Sequence, residues 1–230
     1  MPGTDLRVIY KIAAIATILM LVIIPLQIVA FIAAPIPVST AEWFDLMNSQ
    51  PLLGLFHADF FLMVNNLLIV TIYLAFYHSL KQVNKGLLQV AIVLGLVGIA
   101  AYVSSNKTFE LFALAKEYAG AALESERLIL LAAGKAALAG WQGTAFDVYY
   151  VLNGITLIVV SALMLRQPAY GKTTAVIGLV AGFFMAIPST AGLIGLIFSL
   201  VSLIPWYLFA IRFCGVFIKF YQGRLDASAK

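Results

Sequence analysis

The stretch from His57 to His78, HADFFLMVNNLLIVTIYLAFYH, is apolar enough to cross a bilayer, yet it carries Asp59, Asn65, Asn66, Tyr73 and Tyr77. Polar side chains are costly in hydrocarbon, so they face protein or water rather than acyl chains. On a helical repeat Asp59, Met63, Asn66, Val70, Tyr73 and Tyr77 share one narrow stripe. A later helix, beginning near Phe146, places Asp147, Tyr150, Gly154 and Ser161 on a similar stripe. If the stripes face each other, two carboxylates and several hydroxyls line a cavity open to the outer face. Such a cavity suits three kinds of chemistry. It can bind a small or lipidic ligand, gate a proton or small solute at Asp59, or pair Asp59 with Asp147 for acid–base work.

Both acids also have a purely structural role open to them. They lie near the N-terminal ends of their helices, where a carboxylate caps free N–H groups and complements the dipole. Thr144-x-x-Asp147 matches a capping box. If Pro51 starts its helix, Asp59 lies two turns in and cannot be the cap. The candidate binding residues are therefore Asp59, Asn66, Tyr73, Tyr77, Asp147 and Tyr150, with no catalytic residue assigned.

No metal or cofactor is expected. His57 and His78 stand on one helix, roughly 30 Å apart at 1.5 Å per residue, and cannot share an ion. The single cysteine, Cys214, excludes an intramolecular disulfide and a cysteine-based zinc site. No G-x-S-x-G, H-E-x-x-H or Walker A pattern occurs.

The elements that position these residues follow from composition. The chain has 230 residues, 63% hydrophobic and 10% charged. A soluble domain carries about 25% charge, so the deficit marks a polytopic membrane protein. We read an all-α bundle forming one transmembrane domain. About six spans run near 8–34, 52–80, 87–104, 146–165, 173–187 and 191–211. The first apolar run exceeds a signal-peptide core of about 7–15 residues and reads as a true first helix. Between helices 3 and 4, residues 105–143 form a two-helix outer segment, capped by Thr108 and Ser125, that either covers the bundle or lies on the bilayer. Residues 212–230 read as an inner interfacial tail.

The net charge of +4 does not point to nucleic acid, because the basic residues sit in short loops beside apolar runs. Arg7, Lys11, Lys81, Lys85, Arg166, Lys172, Arg212, Lys219, Arg224 and Lys230 fall on one side, opposed there by Asp5 and Asp226. The positive-inside rule then places both termini in the cytoplasm. Small residues every fourth position, Thr174, Gly178, Gly182 and Ala186 on helix 5 and Ala191, Gly195 and Ser199 on helix 6, predict that these two faces meet. Asp59-FFLMV-Asn65 and Asp147-VYYVL-Asn153 echo each other as a short internal repeat.

Three strings carry a family resemblance: Ser104-Ser105-Asn106 through Glu110, Glu117-Tyr118-Ala119, and Gly140-Trp141-Gln142-Gly143-Thr144-Ala145-Phe146-Asp147. With them the chain resembles, over nearly its whole length, a widespread prokaryotic family of small polytopic membrane proteins known only as a domain of unknown function. The resemblance implies a six-helix bundle in a prokaryotic plasma membrane, and brings no activity or catalytic residues. The preferred expectation is a non-enzymatic membrane protein holding a small or lipidic ligand, or a partner helix, between helices 2 and 4, with membrane lipids as its surroundings.

Overall fold

A computed structural model describes residues 3–141, 143–188 and 192–225. The fold is all-α, 86% helical and without strands among the described residues. In chain order the helices are α1 (Gly3–Ala33), α2 (Thr40–Ser49), α3 (Pro51–His57), α4 (Phe60–Ser105), α5 (Thr108–Gly120), α6 (Glu124–Trp141), α7 (Thr144–Met164), α8 (Lys172–Met185) and α9 (Gly192–Tyr221). Gln142, the turn residues Ser189 and Thr190, Ala191, the side chain of Asp5, Asp226 and Lys230 lie outside the described residues.

α1 is an apolar helix that holds Pro25 in its interior. A proline has no N–H for the carbonyl four residues back, here Leu21. α9 answers that carbonyl: the Tyr207 hydroxyl donates to Leu21 O at 2.6 Å. The kink is thereby also the point where α1 and α9 are tied together. Toward their other ends the same helices are joined by Tyr10 against Phe217 and Phe220, and by Cys214 Sγ donating to Ala14 O.

α4 is a folded-back pair. Asn84 leaves helical geometry at φ −160° and ψ 96°. Its Oδ1 accepts the Leu87 N–H at 3.0 Å, capping the outgoing arm. A Cβ at Gly95 would lie 2.6 Å from the Tyr73 ring. In a straight helix those residues are roughly 33 Å apart at 1.5 Å each. Residues 60–83 and 85–105 are therefore antiparallel arms about a reversal inside the expected Lys81–Gly86 loop.

Beyond the outer end of the arms, α2, α3, α5 and α6 build a second layer. Its own core holds Trp43, Phe44, Met47, Leu111, Ala115 and Trp141. The expected two-helix segment is thus half of a four-helix cap, and it packs by close approach. Gly134 of α6 leaves no room for a Cβ against Thr40 and Phe44, and Trp43 meets Trp141 edge to face. α2 begins with a capping box: the Glu42 N–H donates to Ser39 Oγ at 3.2 Å, and the Val38 N–H to Glu42 Oε2 at 2.8 Å. The expected caps differ. Lys107 precedes α5, and the Thr108 hydroxyl is spent elsewhere, while Ser125 lies one residue inside α6.

α7 packs against both arms of α4, and its other side receives α8. Gly154 is pressed onto the Ala186 backbone, where a Cβ would stand 2.7 Å from the amide nitrogen. Gly182 meets Ile158. The small-residue stripe of α8 therefore serves α7 more than the expected α9. Only its inner part reaches α9, through Gly178 beside Phe209 and through Arg212 Nε donating to Thr174 Oγ1 at 2.9 Å. The reason is the occupant of the far side: α9 offers the bulky Phe209 to α8, while α7 offers Gly154, so α8 makes its closest backbone approach to α7. The α9 phenylalanines also correct the interfacial tail. α9 stays helical to Tyr221, and Phe213, Phe217 and Phe220 are buried in the main core.

One end of the bundle gathers the basic residues. Arg7 lies against Gly223, Lys11 sits 5.7 Å over the Tyr221 ring, and Gln167 of the α7–α8 turn donates to Ser79 O at 3.1 Å. The long helices turn apolar side chains outward, among them Val29, Ile32, Leu193 and Ile204. Among the described residues four helical stretches, Leu6–Ala33, Phe60–Gly120, Glu124–Met164 and Leu193–Tyr221, are long and apolar enough to cross a membrane.

Candidate functional site

The site begins at a break in the chain. The expected single helix from residue 52 to 80 divides at Ala58 and Asp59. Asp59 takes φ 58° and ψ 24°, and no other non-glycine among the described residues has positive φ. That left-handed conformation costs an ordinary L-residue roughly 1–2 kcal/mol, with Asp and Asn among those that tolerate it. Asp59 occupies the N-cap position of α4 but makes no capping hydrogen bond. Its carboxylate instead accepts from Gln27 Nε2 of α1 at 3.3 Å.

Four neighbours hold the break. Gln27 Nε2 also donates to Phe56 O. Asn106 Nδ2 and Thr108 Oγ1, arriving from the far arm of α4, each donate to Ala58 O at 2.9 Å. The His57 ring sits between Leu53 O and Ala34 O, both at 3.1 Å, and is buried rather than interfacial. Strain fixed this firmly by its surroundings is characteristic of functional sites.

One level deeper, α4 and α7 face each other as the stripes predict, but through different residues of α7. The Tyr149 hydroxyl donates to Asn66 Oδ1 at 2.7 Å. The Tyr73 hydroxyl donates to Asn153 Oδ1, and Asn153 Nδ2 donates to Tyr149 O at 3.0 Å. Thr156 adds a bond to Ala91 O at 2.7 Å. A helix position is worth about 100° of rotation, so the Tyr149–Asn153 face is a neighbour of the expected Asp147–Tyr150 face.

A cavity of about 720 Å³ opens in front of this network. α4 and α7 line it together with α1, α8 and α9. Its outer end carries Gln27, Asp59, Asn65, Tyr102 and Trp141; its inner end is Ile72, Phe76, Leu157, Val160 and Trp206. The Tyr102 hydroxyl and the Trp141 N–H are turned toward the Asp59 carboxylate. Four buried polar atoms here have no hydrogen-bond partner: Gln27 Oε1, Asn65 Oδ1, Tyr102 Oη and Trp141 Nε1. Among the described residues Asp59 is the one Asp, Glu, Lys or Arg in the wall.

The cavity reaches the side of the bundle. Ile24, Ile28 and Leu203 line both it and an outer groove between α1 and α9 that runs past Pro25. At that edge Ile28, Ile36 and Leu200 are 41%, 49% and 58% exposed. The expected opening at the outer face is closed over by Trp141, and the gap lies in the apolar flank.

Of the expected site residues, Asp59, Asn66, Tyr73 and Tyr150 line the cavity. Tyr77 does not; it packs partly buried beside His78. Asp147 does not either, and lies in the first turn of α7, where an acid complements the dipole. Gly143, not Thr144, holds the N-cap position. The internal echo stops at sequence: Asp59 sits at a left-handed break and Asp147 inside a regular turn. Gln27, Tyr102 and Tyr149 are the additions that sequence reasoning missed. Gln27 had a signal, being the one strongly polar side chain in the apolar run VIIPLQIVAF. Among the described residues no three His, Cys, Asp or Glu side chains gather as a metal site would require. Compared with family models, curated proteins and solved structures, the chain matches none.

Proposed function

We propose that this chain is a six-pass, non-enzymatic protein of a prokaryotic plasma membrane that holds one small or lipidic molecule in the cavity behind α1 and α9. One observation carries the reading. A cavity within the roughly 300–1,000 Å³ range of ligand sites is polar at one end, apolar at the other, and walled by buried polar atoms lacking partners. Buried polar groups are normally paired, and a cluster of exceptions around one space calls for a partner there.

The six passes are α1, the two arms of α4, α7, α8 and α9. Each arm of α4 meets the length of about 20 residues that a bilayer requires, and α8, at 14 residues, is the short one. The basic end is cytoplasmic under the positive-inside rule, which puts both termini inside and the α2, α3, α5, α6 layer outside.

A carrier using Asp59 needs a polar path right through the bundle, and past Tyr73, Asn153 and Ser202 the cavity ends on Phe76, Val160 and Trp206. An acid–base pair needs Asp147 in the wall that holds Asp59, and it is not there. The test is thermal denaturation of wild type and Asp59→Asn across a panel of lipids and metabolites. A ligand-dependent rise in wild type that shrinks in the variant supports the reading; a panel that moves neither protein overturns it.

A further inference from the structure

We infer that the occupant is a single-tailed amphiphile with an ammonium head, which reaches the cavity sideways from the bilayer between α1 and α9. The inference rests on the binding role proposed above and adds the head chemistry and the route.

The head chemistry comes from the outer end of the cavity. Among the described residues its one Asp, Glu, Lys or Arg is the acid Asp59, and no Lys or Arg lines the wall. A phosphate or carboxylate head would meet Asp59 without a compensating cation, at high cost in a buried site. An ammonium brings three N–H donors and no acceptor. Three acceptors await it: the Asp59 carboxylate, Gln27 Oε1 and Asn65 Oδ1, the last two without partners. Gln27 and Asn65 are 2% and 5% exposed, so water outside the bundle does not serve them. Two donors, Tyr102 Oη and Trp141 Nε1, are turned to Asp59. Around them Tyr102, Trp141, Phe146, Tyr149 and Tyr150 give the aromatic faces that attract a desolvated cation.

The tail and the route come from the rest of the space. Below the polar end the wall is mostly aliphatic and aromatic down to Phe76 and Trp206, with Asn153, Ser199 and Ser202 among its lining. The side gap is bounded by Ile28, Leu200 and Leu203, which present only hydrocarbon to an arriving chain. The Tyr207–Leu21 tie closes the lower end of this gap, and the groove passes Pro25 directly above it.

The test uses the full chain in discs of neutral phospholipid and three long-chain compounds brominated at the tail end: an amine, the matched alcohol and the matched carboxylic acid. Trp206 at the inner end reports the tail, and Trp206→Phe identifies its share of the quenching. The amine is expected to quench at mole fractions about tenfold lower than the other two, the factor a charge-assisted hydrogen bond supplies. Asp59→Asn should erase that preference. If the acid or the alcohol matches the amine, or if the preference survives in Asp59→Asn, the head assignment fails while the binding role stands. If none of the three quenches Trp206 selectively, both fail. For the route, Ile204→Phe with Leu208→Phe, which line the groove and not the cavity, should slow the onset of quenching several-fold and leave its final level unchanged; an unaltered onset overturns lateral access.

Discussion

The Tyr73 ring occupies the space that a side chain at Gly95 would need, with Cε2 only 2.6 Å from where a Cβ would stand. This contact locks the two arms of α4 at mid-height and aims the Tyr73 hydroxyl at Asn153. Gly95→Ala must push the ring away from that bond. Overpacking of this kind costs about 1–3 kcal/mol. Gly140→Ala is the control, since nothing lies within 4 Å of its added carbon. Thermal denaturation should show a clear loss for the first and almost none for the second. Equal midpoints would contradict the hairpin packing.

Asp59 offers a separation of stability from binding. Glycine adopts the left-handed conformation without the penalty an aspartate bears. Asp59→Gly should therefore leave the midpoint unchanged or raise it, against the loss of the 3.3 Å bond from Gln27. The same variant should lose the ligand-dependent shift. Asp59→Val, strained at that φ, should lower stability by about 1–2 kcal/mol and the midpoint with it. A glycine variant that is much less stable would show that the carboxylate is structural.

Between the helices, the Tyr149–Asn66 bond is measurable by a double-mutant cycle. Tyr149→Phe removes the donor and leaves Asn66 Oδ1 unanswered. Interhelical bonds in membrane bundles average about 0.6 kcal/mol and reach about 1.7. The coupling with Asn66→Leu should fall in that range. Zero coupling would mean the two side chains act independently.

In the outer layer, the Val38 N–H and the Ser39 hydroxyl group hold the Glu42 carboxyl below its ordinary range. A depressed carboxyl stabilises the folded form at pH above its ordinary value, and that contribution disappears as pH falls through the lowered one. Acid should loosen the start of α2. The protection factor of the Val38 amide, its exchange corrected for the intrinsic pH dependence, is expected to fall with pH in wild type. It should be low and flat in Glu42→Gln over the same acidic window. A wild-type profile as flat as the variant's would refute the box.

Much of the architecture was legible because it follows from hydrocarbon. Run length located the long helices, and the Lys81–Gly86 interval located the reversal at Asn84. Rotation about each helix axis was less legible. A one-residue error on α7 selects Tyr150 and Asp147 in place of Tyr149 and Asn153, and apolar residues on all sides give no amphipathic stripe to correct it. The Asp59 break left no mark in sequence, since neither glycine nor proline stands at 58 or 59. The small residues of α8 fit any close neighbour, so their spacing could not choose α7 over α9. Phe209, Phe213, Phe217 and Phe220 are spaced to line one helical face, and sequence alone did not separate a core face from an interfacial one.

The gap between α1 and α9 changes what concentration means for this protein. A molecule that comes and goes through that flank is counted per lipid, not per litre. Diluting the surrounding buffer leaves occupancy where it was, while adding empty bilayer drains it.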